Sequence, residues 1–382
     1  MEQRSRYRFS LSVFFFLSGI CFSSWASRIP TIKTNFGYNE AELGTLLLFM
    51  PISSLVGLPI SGWLVARFDS RLPLAWAFIM LSVALAMIGF ANSSFMLITS
   101  ICLLSFSFRI LNISMNTQAI GLQKLFDKKI NGSFHGLWST GGIVGVGFST
   151  ILVALKINMA IHLSIVGVLT LATILVCYRS LITNDRSATG NKLILTKPDP
   201  YIVYLGLLVF FAAICEGGMF DWSGIYFREV VNEEIFTLGY LLFMICMATS
   251  RFGSDFMMEK FGMPRTYIFS ALLVVSGIMI AVLFPTFTPV LIGFCLVGFG
   301  TASIIPMTFL LAGQSRKYSP GMAISIIATY SIVGMLLGPP LIGYVAHALN
   351  LRVSFVIFAF AGLMIIPVSQ IFFRHQRQLP NT

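Results

Sequence analysis

Along this chain the apolar residues neither alternate nor keep to one helical stripe; they fill whole windows of about 20 positions, separated by short polar breaks. A window of that length, coiled as a helix, spans the roughly 30 Å of hydrocarbon in a bilayer, and only a backbone that satisfies its own hydrogen bonds can cross it. The pattern predicts twelve such segments, near residues 10–27, 42–66, 73–92, 95–119, 134–155, 159–179, 201–227, 237–258, 266–284, 287–312, 320–346 and 352–373. The first lies within "MEQRSRYRFSLSVFFFLSGICFSSWAS", which has the basic, apolar and small-residue order of a signal peptide. The next span follows after a short polar loop, and an uncleaved first helix completes an even set.

Composition agrees with that reading: 57% of residues are apolar, 10% are charged and mean hydropathy is +0.87. An all-α membrane protein is predicted. The net charge of +11 changes the picture only through its placement. Nineteen of the 25 Lys and Arg fall on one side of the predicted spans, five on the other, and Arg109 alone is mid-span. That asymmetry predicts both termini inside the cell and argues against a nucleic-acid-binding patch. The six cysteines all lie in spans without paired spacing and read as small packing residues. No cofactor or metal pattern is visible, and no phosphate-binding glycine loop, so ATP hydrolysis has no support.

The longest internal polar stretch, "RSLITNDRSATGNKLILTKPDP", separates six spans from six. The predicted organisation is a first half over residues 1–180, a cytoplasmic linker over 181–200 and a second half over 201–382. The halves repeat weakly: Trp25 and Trp222 are 197 positions apart, Gly62 and Asp255 are 193, and Trp138 and Tyr330 are 192. A duplicated six-helix unit is the architecture of alternating-access transporters.

"GWLVARFDSR", Gly62 to Arg71, resembles the signature of the major facilitator superfamily, roughly G-x-L-x-D-R-x-G-R-[RK]. Here Ala66 stands for the Asp and Asp69 for the second Gly. In the second half Glu259, Lys260, Phe261 and Gly262 fit the core of that pattern, with Arg251 and Asp255 in the preceding turns on the same face. More closely, "SWASRIPTIK", "HGLWSTGG", "EGGMFDW" and "GPPLIGY" resemble the YbjJ/MosC-like branch of bacterial inner-membrane facilitators, more distantly the fucose permease group. The resemblance implies a bacterial inner-membrane transporter with spans 1, 4, 7 and 10 lining a central cavity. It also implies a sugar-like or cyclitol-like solute and gating roles for Arg67, Arg71, Arg251, Asp255 and Glu259.

Charges at bilayer depth cost several kcal/mol and call for a partner or a wet cavity. In the fourth span Ser105, Arg109, Asn112 and Asn116 step by three or four and form one polar face. Such a face suits a hydroxylated or carboxylated solute, or a structural pairing of Arg109 with Glu216. Glu216, near the middle of the seventh span, is the candidate proton carrier and is expected to face Arg109. Five residues on, Asp221 is expected near the outer end as a gating contact for Arg28, with Gly217 and Gly218 as a hinge between the two acids. Trp25 and Trp222 read as cavity residues or as interfacial belt aromatics. His135 reads as a gating or proton-shuttling side chain, or as a structural hydrogen-bonding group. Glycines at 136, 141, 142, 145, 334 and 338 allow close helix approach, and Pro339 and Pro340 should kink the eleventh span.

The combined reading is a monomeric secondary active transporter, not an enzyme, that moves a small polar solute with protons across the lipid bilayer. A proton-driven efflux antiporter is the rival, although the fifth span lacks the Gly-Pro element of drug antiporters; a non-transporting membrane sensor ranks third.

Overall fold

The computed structural model describes residues 3–127, 130–183, 199–318 and 320–378, within which every regular element is helical. The helices are α1 (Gln3–Ala26), α2 (Ile29–Phe36), α3 (Glu40–Phe68), α4 (Arg71–Gly89), α5 (Ser94–Gln123), α6 (Asn131–Ala154) and α7 (Met159–Cys177). They continue as α8 (Pro200–Glu229), α9 (Thr237–Phe261), α10 (Met263–Leu283), α11 (Phe287–Thr301), α12 (Ile304–Ala312), α13 (Pro320–Ala348), α14 (Leu351–Ser354) and α15 (Val356–Gln378). Lys128, Lys129, residues 184–198 of the expected linker and the side chain of Asp255 lie outside the described residues.

Eleven helical stretches among the described residues are long and apolar enough to cross a membrane, and the protein is a multi-pass membrane protein. The expected twelfth is α9. It runs to Phe261, and among the described residues it is apolar over Thr237–Arg251. Large apolar side chains point outward where lipid would lie, Leu175 at 83% and Val176 at 78% exposure among them.

The chain forms two compact units, one of residues 1–37 and 49–192, the other of residues 38–48 and 193–382. In the first, α1 packs on α6, and α4 packs on α5 and α7; in the second, α8 packs on α13, and α10 packs on α11 and α15. The pairings repeat in order, as a duplicated unit requires. Close approach explains Gly141 and Gly145 of α6, where a Cβ would collide with the Phe16 carbonyl and the Ile20 backbone of α1, but not Gly136, where a Cβ would meet nothing within 4 Å.

α3 is shared. Its first residues belong to the second unit, where Gly44 lies against Pro339 and Pro340 of α13 and the Thr45 and Tyr344 hydroxyls are 3.0 Å apart. A reciprocal cap starts the helix: the Asn39 amide donates to Glu42 Oε2 and the Glu42 amide to Asn39 Oδ1, both at 2.9 Å. From Phe49 onward α3 belongs to the first unit, and Pro51 lies just past that boundary.

The two signature loops also correspond. Asp69 has φ 60° and Gly262 has φ 76°. Both loops need a left-handed residue, which explains the glycine in the family pattern; Asp is among the few side chains that tolerate the αL region.

Candidate functional site

In the first unit, hydroxyls stitch α3 to α5 at the predicted polar face. Ser53 Oγ donates to the Cys102 carbonyl at 2.7 Å and Ser105 Oγ to the Met50 carbonyl at 2.5 Å. One turn on from Ser105, Arg109 Nε donates to Ser54 Oγ at 2.8 Å. Gly57 has no side chain to push the arginine away; a Cβ there would stand 3.2 Å from that of Arg109. Asn112 is exposed one turn on, and Asn116 Nδ2 donates back to the Asn112 carbonyl at 2.7 Å. Ser105 and Arg109 therefore engage α3, whereas Asn112 is exposed and its Oδ1 accepts from Asn116 Nδ2 at 3.4 Å.

A second cation of this unit is almost wholly buried. Arg28, at the break between α1 and α2, is 4% exposed; its Nε donates to His162 Nδ1 at 3.0 Å and its terminal nitrogen to the Ile157 carbonyl at 3.2 Å. No carboxylate bonds it among the described residues. His162 accepts at Nδ1 and is therefore neutral, its Nε2 has no described partner, and Phe148 meets its ring edge-on at 5.5 Å.

The second unit holds the ion pair. Glu216, 8% exposed in mid-α8, lies 3.1 Å from a terminal nitrogen of Arg251 on α9, which also reaches Met247 Sδ at 3.7 Å. Where Arg109 is the expected partner of Glu216, the ion pair present is with Arg251, one helix along in its own unit. Arg251 has been drawn from the inner loop group to the acid because α8 and α9 are antiparallel neighbours. Gly217 and Gly218 interrupt nothing, since α8 is continuous from Pro200 to Glu229. Gly218 instead makes room for the Phe358 ring, which a Cβ would strike, so the hinge reading is replaced by close packing.

Trp25 and Trp222 are 1% and 0% exposed, which rules out the belt reading. Trp222 Nε1 has no described hydrogen-bond partner. Asp221, partly buried, has no hydrogen bond or ion pair among the described residues. His135 is exposed and meets Phe15 edge-on at 5.7 Å. Near the loop after α3, Arg71 lies 4.0 Å from the Tyr178 ring centre and Arg67 packs over Trp63 and Phe68, while Glu259 is exposed on α9. Sequence reasoning missed His162 and Ser54. A lone His and one Ser in a serine-rich span carry no local signal of the arginines they hold.

This helical repeat with charges between its helices has a match among known families. The sequence profile of the Major Facilitator Superfamily matches residues 11–315 and 231–381. The chain belongs to that superfamily. It is a transporter rather than an enzyme, and it is similar along its length to bacterial members. It is 29% identical to an uncharacterised MFS-type transporter of Yersinia pestis over 89% of both chains. It is 28% identical to the membrane protein MosC of Rhizobium meliloti over 96% of this chain and 90% of that one. Among solved structures, the nucleoside transporter NupG, in its D323A form, superposes with a TM-score of 0.80 at 13% identity over 96% of this chain and 100% of that one. A bacterial homologue of the human lysosomal transporter Spinster gives 0.77 at 14% identity over 100% of both. At those identities the structures establish the fold alone.

Proposed function

We propose that this facilitator takes up a small polar solute together with protons, and that Glu216 is the proton carrier. The buried Glu216–Arg251 pair carries the reading. A carboxylate at that depth is tolerated because a guanidinium neutralises it. A proton on Glu216 neutralises the carboxylate and releases Arg251 from it, so the α8–α9 contact has two states that differ by one positive charge. Two such states are what a proton-coupled cycle needs.

In this account residues 1–180 and 201–382 are the moving halves, joined by the linker over 181–200. The protein works as a monomer in a bacterial inner membrane with both termini in the cytoplasm; the bacterial origin of the relatives supports that placement. The solute has a sugar-like or cyclitol-like skeleton. Arg109, Asn112 and Asn116 contact it, Trp25 and Trp222 buttress the site, and Arg28 and Asp221 act in gating.

Uptake into proteoliposomes under an imposed inward proton gradient tests the coupling. Accumulation that Glu216→Gln abolishes, with solute exchange retained, is expected. Gradient-driven exclusion would establish antiport instead, and accumulation that survives Glu216→Gln would remove the proton role from this residue.

A further inference from the structure

The polar face of α5 carries more information about the solute than its mere polarity. Arg109 lies in mid-α5, inside a membrane-crossing stretch, and is partly buried. It bonds a neutral hydroxyl, that of Ser54, and among the described residues it has no carboxylate. A guanidinium cannot shed its charge by losing a proton, so this helix holds a permanent positive charge that its own unit does not neutralise. Glu216 already has Arg251.

The geometry around Arg109 also points away from a purely structural cation. The Ser54 bond uses Nε, the nitrogen nearest the stem, and Gly57 lets that stem lie against α3. Both fix the guanidinium plane and leave its two terminal nitrogens without a described acceptor. Those nitrogens are one side of the fork that takes a carboxylate through two parallel hydrogen bonds. One turn away Asn112 is exposed; its Oδ1 accepts from Asn116 Nδ2 at 3.4 Å, and its Nδ2 is left to donate to a hydroxyl. A guanidinium held at Nε beside that amide donor matches an acid group with a neighbouring hydroxyl on one carbon skeleton.

We propose that the solute is an organic monoanion, a hydroxylated carboxylic acid of the sugar-acid or cyclitol-acid class. Its carboxylate binds the terminal nitrogens of Arg109 and a hydroxyl binds Asn112. This deepens, and rests on, the reading of the protein as a solute transporter. A neutral polyol leaves the Arg109 charge unbalanced in the bilayer, whereas a monoanion cancels it. Ser54 is a positioning residue: it touches no solute and sets the plane of the fork.

The test is binding to the purified full-length protein, read by thermal shift and titration. The probes are gluconate, galactonate and quinate, their uncharged counterparts glucose, galactose and myo-inositol, and glucose 6-phosphate. At least one acid should raise the melting temperature while its uncharged counterpart does not. Its affinity should fall at least tenfold in Arg109→Gln, less in Arg109→Lys, and a few-fold in Ser54→Ala.

Asn112→Asp guards against a misfolded Arg109 variant, because it sets a carboxylate three residues along the same face. It should keep the protein folded and weaken acid binding at least tenfold by occupying the guanidinium. The proposal is overturned if only uncharged probes bind, if only the phosphate ester binds, if no acid binds, or if acid affinity is unchanged in Arg109→Gln and Asn112→Asp. Counterflow in proteoliposomes separates the two readings. An acid that binds through Arg109 but does not cross would defeat transport and leave the anion site standing; a neutral sugar that crosses would do the reverse.

Discussion

The two units share a frame and fill it with different chemistry. In the second, the carboxylate of Glu216 on α8 is neutralised by Arg251 on α9. At the repeat offset of Trp25 and Trp222, the position of Glu216 corresponds to Gly19, which is backbone-packed against Trp138 of α6. The contrast reverses at the α1–α2 break, where the first unit buries Arg28 on a neutral His162. There the second unit runs α8 on without a break and packs Tyr226 against Phe355, with ring centres 4.4 Å apart and planes tilted by 46°. The second unit therefore pairs a buried carboxylate with an arginine of its own, while the first holds Arg28 and Arg109 on neutral acceptors. Duplication supplied the scaffold, and divergence at a few helix-facing positions made the two units chemically different.

The largest effect is expected where packing leaves no slack. Gly141→Leu should prevent α1 from docking on α6, costing about 3 kcal/mol or more and abolishing folded protein on size exclusion. By contrast, a Cβ added at Gly217 of α8 would meet only Met335, at 3.5 Å, so Gly217→Ala should leave the melting temperature nearly unchanged.

Breaking the ion pair comes next. Arg251→Ala strands the buried Glu216 carboxylate and should cost about 1–3 kcal/mol, the partial exposure of Arg251 reducing the full buried-pair penalty. Glu216→Leu with Arg251→Met should regain most of that loss in a thermal melt while remaining uncoupled from the proton gradient. If the double substitution melts as low as the single one, the pair is not the source of the cost.

In the first unit, His162→Ala removes the acceptor of Arg28 and should cost about 1–3 kcal/mol. His162→Phe, which imports the aromatic filling of the second unit, should not rescue it, because the guanidinium would still lack an acceptor. The smallest difference concerns the signature loops. Gly262→Asp should cost about 1–3 kcal/mol, since φ 76° with ψ 155° lies in a region nearly reserved for glycine. Asp69→Gly should change stability by about 1 kcal/mol or less.

Much of this was legible in the sequence, for identifiable reasons. Long apolar windows report membrane-spanning helices directly, because hydrocarbon imposes one requirement on every residue of a span. The polar face of α5 was readable from its spacing, and the glycines of α6 from their density. Partners across helices were not. Nothing near Glu216 in the chain distinguishes Arg109 from Arg251, since both are arginines on apolar spans and the choice depends on which helix packs on α8. Gly217 and Gly218 looked like a hinge because a sequence shows a missing side chain but not the Phe358 ring that fills its place.

The central claim is that Glu216, alone among the membrane-embedded acids, exchanges the coupled proton. Infrared titration of the purified protein measures this without knowledge of the solute, through the carbonyl stretch of a protonated carboxyl group. The account predicts a band that grows on acidification in the wild type, persists in Asp221→Asn, which removes the unpartnered acid of α8, and vanishes when Glu216→Gln is added to that variant. A band unchanged when Glu216→Gln is added, or lost in Asp221→Asn alone, would contradict it.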